Sequence, residues 1–256
     1  MIINRRYVTR LVKFTPSHET LIAFTAVAGI IMLSLALLLV PSTNFVAPCH
    51  IILRDIIMVL LLGFCFPLYY INLSERHGQR CLGVTRAKLG LSLKINLALG
   101  VLVFAFFLII SPQWPPLNLS TLLTLLYLVP TGIFETIFFF GFLRHFMEKA
   151  FGVVPAIMLT AMFYSLHHVG FQPEFIKFFL LGIMYTSIFF VTRNIFILFP
   201  FFWSAGAFWD VQFMLFDGSV IISPGILIVA VCQLIAMTFH AGNRGSNPLG
   251  DANNFR

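Results

Sequence analysis

Charged residues are scarce in this chain. Aspartate, glutamate, lysine and arginine make up 10% of its 256 residues, whereas a soluble domain of this length carries roughly 25%. Hydrophobic residues make up 59%. This composition supplies too few polar residues to cover the surface of a soluble globular fold. The sequence therefore predicts an integral membrane protein whose main solvent and partner is the lipid bilayer.

Cysteines are also few, and they are not paired in the sequence. Cys49, Cys65, Cys81 and Cys232 are scattered and form no CxxC motif. The pattern gives no support to a disulfide framework or a thiolate zinc site. It is typical of small apolar residues that fill space.

Acidic residues are fewer than basic ones, and the net charge is +7. The basic residues lie mainly in short loops between apolar runs, so membrane topology explains them better than a nucleic-acid partner does. With the N-terminus inside, all but two of the 16 lysines and arginines fall in inside segments, the exceptions being Arg54 and Lys177. This asymmetry predicts a multi-pass protein with both termini in the cytoplasm.

Apolar runs long enough to cross a bilayer dominate the rest of the chain. A spanning helix needs about 20 mostly apolar residues, and eight such runs predict an all-α, polytopic membrane protein. They are 20–40, 56–73, 93–111, 121–143, 152–169, 174–191, 196–216 and 221–239. Residues 1–256 are predicted to form a single integral membrane domain. The polar, Gly- and Asn-rich tail at 241–256 is predicted to be disordered.

Ionisable side chains are rare within these predicted spans. Of the acidic residues, Glu135 and Asp210 lie well inside them, and the fifth span carries His167 and His168. An ionisable group at mid-bilayer costs a few kcal/mol and usually faces a cavity or a partner, so it marks function. Each of these residues, taken alone, also fits a structural hydrogen bond.

The spacing of these residues predicts that they share one level. Helices four and five should turn near Phe151, and Glu135 and His167 are equally far from that turn. Asp210 lies about as far beyond the turn expected near Arg193, which places all three some 24 Å from the inner turns. Successive residues differ by about 100° around a helix, so the two adjacent histidines are not expected to face one point, and one should be structural.

A buried glutamate beside a histidine can hold and deprotonate a water molecule. The resulting general base can direct water against an amide, provided that a donor such as a protonated aspartate supports the oxyanion. Glu135, His167 and Asp210 could instead ligate one divalent metal. The sequence therefore leaves open whether the site uses no cofactor or a metal, although the absence of HExxH gives zincin chemistry no support.

Three segments together resemble the CPBP family, the CAAX protease and bacteriocin-processing group that includes type II CAAX prenyl endopeptidases. "FETIFFFGFLRHFME" is similar to motif one of the family and "FYSLHH" to motif two, Phe-x-x-x-His. "WSAGAFWD" is similar to motif three, His-x-x-x-Asn/Asp. The resemblance covers a core of about 80–215. It implies a water activated by Glu135 and His167, with Asp210 at the last position of motif three.

The chain departs from the family pattern at several supporting positions. Thr136 stands in place of the second motif-one glutamate, Phe140 in place of the arginine, and Gly206 in place of the motif-three histidine. Gly141 is retained. The water-activating pair is therefore preserved, whereas its expected partners are mostly replaced.

Three functions remain open at this point. The first is a membrane-embedded endopeptidase with Glu135, His167 and Asp210 as catalytic residues, acting on a membrane-associated protein tail or a small peptide. The second is a catalytically impaired relative that serves as a membrane binding or immunity-type protein. The third is a proton-coupled transporter, which is disfavoured because the chain lacks matching halves with broken helices.

Overall fold

The structure is helical throughout the part of the chain that it describes. This computed structural model describes residues 11–39, 51–75, 78–110, 128–169 and 174–216, and no strand occurs in these ranges. The helices are α1 (His18–Leu39), α2 (Ile51–Cys65 continued by Phe66–Ser74), α3 (Leu89–Ile110), α4 (residue 128 to Phe151), α5 (Val153–Val169), α6 (Phe175–Thr192) and α7 (Phe201–Phe216). The all-helical prediction is confirmed for these residues.

Several of the helices are suited to a bilayer. Four are long and apolar enough to cross a membrane, namely His18–Leu37, Ile52–Ser74, Leu89–Ile109 and Phe175–Thr192, and Val153–His168 is a shorter apolar helix. These helices support an integral membrane protein. The predicted eighth span at 221–239 and the tail at 241–256 lie outside the described residues, so the count of eight stays a prediction.

The hairpin between α4 and α5 turns where the sequence predicts. α4 ends at Phe151 and α5 begins at Val153. Gly152 between them has φ of 88°, and its N–H donates to the carbonyl of Glu148 at 3.0 Å. A side chain would be strained at that angle, so glycine allows the chain to reverse at once. The two arms therefore run antiparallel from a common point.

The turn between α6 and α7 is fixed by two asparagines. Arg193 takes a left-handed conformation that ends α6, as the predicted turn near this residue requires. Asn194 accepts a hydrogen bond from the N–H of Phe196 at 3.0 Å and donates to the carbonyl of Ala87 at 2.8 Å. Asn96 of α3 then accepts from the N–H of Phe201 at 2.9 Å, so a side chain from another helix satisfies the start of α7. These bonds place α7 against α3.

One end of the helix bundle holds most of the ion pairs of the described residues, and we call it the ion-pair end. Its charged residues are Glu19, Glu75, Arg144, His145, Glu148, Lys149 and Arg193. The N–H of Lys13 also donates there to the carbonyl of Phe151 at 2.9 Å. Segments that the topology prediction puts on the inside thus meet at one end of the molecule. Which membrane face this end occupies remains a prediction.

Aromatic rings from the middle of α4 fill the core. Buried phenylalanines occupy most of this stretch, namely Phe134, Phe138, Phe139, Phe140, Phe142 and Phe146. Gly141 interrupts them, and a Cβ there would lie 2.8 Å from the carbonyl oxygen of Leu82. The retained motif-one glycine therefore allows a close approach of backbone to backbone.

Candidate active site

Glu135 is a buried carboxylate in the centre of the helices. It is 2% exposed and directly precedes the π-helical stretch Thr136–Leu143 of α4. Short π-helical stretches are frequent at functional sites, because they alter which side chains share a face. The indole Nε1 of Trp203 donates to Glu135 Oε2 at 2.8 Å. An N–H from α7 therefore fixes one carboxylate oxygen.

His168 faces the other oxygen of this carboxylate. Its Nε2 lies 3.5 Å from Glu135 Oε1, and its Nδ1 lies 3.0 Å from the carbonyl oxygen of Tyr164. A carbonyl only accepts, so Nδ1 carries a hydrogen, and in the neutral form of the ring Nε2 is an acceptor. Two acceptors then face each other at a distance longer than a direct hydrogen bond. A proton or a bridging water is needed to join them.

His167 completes the group from the adjacent position. Its Nδ1 lies 2.6 Å from Ser34 Oγ on α1, and its ring centroid lies 5.4 Å from that of Phe134 and 5.3 Å from that of Phe139. One ligand atom from each of Glu135, His167 and His168 lies within 4.8 Å of the others. The predicted approach of Glu135 and His167 is therefore confirmed.

The expectation that the two histidines do not face one point is wrong, because a nitrogen of each ring lies within 4.8 Å of a Glu135 carboxylate oxygen. A structural role for one of them stays a prediction. The Cβ atoms do diverge by about 100° around α5. An imidazole reaches well beyond Cβ, however, so two rings that leave α5 in different directions can each bring a nitrogen near Glu135 on the facing helix. Cβ directions alone therefore do not locate the ring nitrogens.

Asp210 lies on α7, about two helical turns beyond Trp203. Its side chain lies outside the described residues. On this helix it is Trp203 that contacts Glu135. The role expected for Asp210 therefore stays a prediction.

The sequence of this site matches a known family. Residues 116–208 match the family model described as type II CAAX prenyl endopeptidase Rce1-like. The matched segment contains Glu135, both histidines and Trp203. This match confirms the resemblance to the CPBP family. No curated protein and no solved structure gives a significant match.

Two departures from the CPBP pattern meet at one tyrosine. The ring of Phe140, which stands where the family has arginine, lies 5.6 Å from the ring of Tyr185 and 5.4 Å from that of Tyr164. A Cβ at Gly206, where motif three has histidine, would lie 3.1 Å from Tyr185 Oη. Tyr185 therefore fills the region between the two replaced positions.

The other departure is satisfied locally. Thr136 is buried, and its hydroxyl donates to the carbonyl of Gly132 at 2.7 Å. This is the bond to the preceding turn that threonine commonly makes within a helix. At the second position of motif one, the chain therefore has an uncharged hydroxyl that forms its hydrogen bond within its own helix.

A second group of potential ligands lies at the ion-pair end. Ligand atoms of Glu75, Cys81 and His145 also lie within 4.8 Å of one another. Glu75 Oε1, however, already contacts His145 Nε2 at 3.3 Å and Lys149 Nζ at 3.0 Å. The hydrogen bond from His145, with Lys149 beside it, lowers the pKa of Glu75 to about 2 against the effect of burial. Ion pairing therefore accounts for this group.

Glu148 is held in a similar way. It contacts Arg144 within α4 and forms two hydrogen bonds with Arg193, at 2.6 and 2.8 Å. Burial opposes its ionisation, but the two guanidinium groups lower its pKa to about 2. Burial lowers the pKa of Arg144 to about 10, assisted by the nearby charge of Arg193. Both arginines thus favour the charged form of this carboxylate.

Sequence reasoning missed three contributors to the site. The sequence predicts that only one of His167 and His168 belongs to the site, and its motifs do not indicate Ser34 or Trp203. A signal existed for Trp203, because a buried tryptophan usually needs a partner for its N–H and Glu135 is one of few intramembrane acceptors. No comparable signal existed for Ser34, since serine is common in membrane helices.

Proposed function

We propose that this chain is a membrane-embedded endopeptidase of the CPBP type that hydrolyses a peptide bond with a water activated by Glu135, assisted by His167 and His168 beside it. The observation that carries the proposal is the buried carboxylate facing the acceptor nitrogen of His168 at 3.5 Å. A water placed there donates one hydrogen to each acceptor. Its oxygen lone pairs are then left for attack.

The reaction needs one proton transfer in each direction. Glu135 takes a proton from the water as the oxygen bonds to the carbonyl carbon of the substrate amide. The tetrahedral oxyanion then collapses and the C–N bond breaks. The protonated Glu135 returns its proton to the leaving amine. The products are a carboxylic acid and an amine, and the site returns to its starting state.

The supporting partners determine how fast such a site works. The hydrogen bond from Trp203 orients Glu135 throughout the cycle. Loss of one oxyanion donor typically costs about 10²- to 10³-fold in rate. Because Phe140 and Gly206 replace the family's arginine and histidine, we expect a slow enzyme. A protonated Asp210 remains our proposed oxyanion donor.

The substrate class follows from the family and from the surroundings of the site. The matched family is described as prenyl endopeptidases, and Glu135 is enclosed by apolar helices. A substrate that reaches it must enter from within or beside the bilayer. We therefore propose a membrane-associated protein tail that carries a lipid group, with a small apolar peptide as the other substrate class.

Purified protein in nanodiscs tests this proposal with three peptides: a farnesylated C-terminal tail, the same tail without its lipid, and a signal-like apolar peptide. We expect slow cleavage of at least one, lowered about 10³-fold by Glu135→Gln and strongly reduced by His167→Gln and by His168→Gln. His145→Gln is the matched control, because it removes the histidine of the other Glu–His pair. Cleavage that persists in Glu135→Gln would overturn the mechanism. Inhibition by a chelator, with recovery on adding zinc, would replace the carboxylate mechanism by a metal-dependent one.

A non-catalytic relative is the second candidate. It is favoured by Phe140 and Gly206, whose surroundings are filled by Tyr185. Such a protein would bind a lipidated tail as a membrane binding or immunity-type protein. In the same preparation, it would retain the peptide without cleavage, and Glu135→Gln would not weaken the binding.

A further inference from the structure

Ser34 lies outside the family match but touches the site. It is buried on α1, and its Oγ lies 2.6 Å from His167 Nδ1, 2.8 Å from the carbonyl oxygen of Ile30 and 3.3 Å from Met58 Sδ. The match to the family model begins at residue 116. Motif comparison therefore gives this serine no role.

The single hydrogen of the Ser34 hydroxyl decides which residue is the donor in the contact between Ser34 and His167. A hydroxyl carries one hydrogen, and a carbonyl or a thioether can only accept. The bond to Ile30 is the usual one from serine to the preceding helical turn, and it uses that hydrogen. The 2.6 Å contact then needs a hydrogen from His167 Nδ1. The opposite assignment would leave the 2.8 Å contact with Ile30 without a hydrogen.

We propose that Ser34 is a positioning residue that holds His167 in the tautomer with hydrogen on Nδ1. The proposal rests on the proposed function for its catalytic meaning. In this tautomer Nε2 has a lone pair and can only accept a hydrogen bond. A neighbour that fixes one ring nitrogen commonly determines what the other can do.

The surrounding rings restrict His167 further. Phe134 packs edge-on against the imidazole and Phe139 packs tilted against it, with centroids 5.4 and 5.3 Å away. The ring therefore has little freedom to turn away from Ser34. The hydrogen bond selects the tautomer, and the aromatic contacts keep the ring orientation. α1 thus contributes to a site whose other described groups come from α4, α5 and α7.

Nitrogen NMR of histidine-labelled protein tests the tautomer directly. The His167 signals are assigned by their loss in His167→Gln. We expect the Nδ1–H tautomer in the wild type and in Ser34→Thr, which keeps the hydroxyl, and a change in Ser34→Ala. Thr25→Val is the matched control, because Thr25 makes the same type of bond to Leu21 on the exposed side of α1. A wild-type ring with hydrogen only on Nε2, or unchanged signals in Ser34→Ala, would overturn the proposal.

Kinetics then separate this inference from the proposed function. Outer partners of this kind typically contribute about 10- to 100-fold, so Ser34→Ala should lower kcat by about that factor with a smaller change in KM. Ser34→Thr should restore kcat. If the wild type cleaves no peptide but shows the expected tautomer, the proposed function fails and the positioning role stands. Labelling of Ser34 by a serine-reactive phosphonate would show a nucleophile and overturn the positioning role.

Discussion

The molecule contains two glutamate–histidine pairs, and they differ in the third group that each carboxylate contacts. Glu135 lies 3.5 Å from His168 Nε2, and Glu75 lies 3.3 Å from His145 Nε2. Glu75 also contacts the ammonium of Lys149 at 3.0 Å, whereas Glu135 accepts from the neutral N–H of Trp203 at 2.8 Å. One pair lies at the ion-pair end, and the other is buried among aromatic rings.

This difference separates a structural pair from a candidate base. A hydrogen-bond donor or a cation beside a carboxylate favours its ionised form and makes it a weak base. The hydrogen bond from His145, with Lys149 beside it, lowers the pKa of Glu75 to about 2 in this way. A neutral indole donor orients Glu135 without supplying a counter-charge. The same two residue types therefore belong to an ion-paired group at one end of the helices, whereas in their middle they form the pair for which we propose proton transfer.

The largest expected effect is on activity at the buried pair. Glu135→Gln should lower kcat/KM by about 10³-fold, because an amide cannot take a proton from water. Glu75→Gln should change it by less than about tenfold, since ion pairing is its only assigned role. Peptide cleavage in nanodiscs measures both. Equal losses in the two variants would remove the distinction between the pairs.

The next effect is on stability at the ion-pair end. Glu148→Gln leaves Arg144, which is 2% exposed, and Arg193 without their shared carboxylate. Removing one partner of a buried ion pair costs about 3–5 kcal/mol. Unfolding in mixed micelles should show a loss near the lower value, because Glu148 is partly exposed. Asp55→Asn breaks the more exposed pair with Arg54 and should cost less than about 1 kcal/mol.

A smaller effect on cleavage distinguishes Trp203, which donates to Glu135, from Lys149, which donates to Glu75. Trp203→Phe removes the N–H from Glu135 but keeps an aromatic ring, and a hydrogen bond to a charged group contributes about 1.5–3 kcal/mol. Cleavage should fall by about tenfold as the carboxylate loses its orientation. Lys149→Met removes the cation from Glu75 and should leave cleavage unchanged. Reduced cleavage in Lys149→Met alone would reverse the assignment of the two pairs.

The smallest effect is the pH dependence of stability. The pKa of Glu148 is about 2 in the folded chain, below its ordinary 4.5. Its contribution is therefore complete above pH 4.5 and is lost as the pH falls towards 2. Thermal unfolding between pH 6 and 3 should show a falling Tm. Tm should fall less steeply with falling pH in Glu148→Gln. An unchanged dependence of Tm on pH would mean that other carboxylates govern this loss of stability.

Periodicity and spacing predicted much of the fold. The runs of apolar residues located seven helices, and the equal spacing of Glu135 and His167 from Phe151 predicted their approach. Those inferences worked because a helix has a fixed rise and Gly152 reverses the chain within one residue. Motifs one and two of the family pattern, which follow one another in the chain, indicated Glu135 and His167 as partners in one site.

The remaining parts of the site could not be obtained in this way. Trp203 reaches Glu135 because Asn96 of α3 fixes the start of α7, which is a contact between distant segments. Ser34 approaches His167 from α1, far away in the chain. Neither contact has a periodic signature. Both depend on how the helices rotate and pack against one another.

The amino-acid sequence by itself determined that the chain is a helical membrane protein and that its intramembrane carboxylate lies level with a histidine. Low charge, long apolar runs and fixed helical rise are local properties, and they can be counted along one chain. Tertiary structure alone decided that both histidines place a ring nitrogen within 4.8 Å of Glu135, that Trp203 donates to it, and that Lys149 contacts the glutamate of the other pair. Those outcomes depend on side-chain reach across helices that are distant in the sequence, where a rotation of one helix would exchange one partner for another.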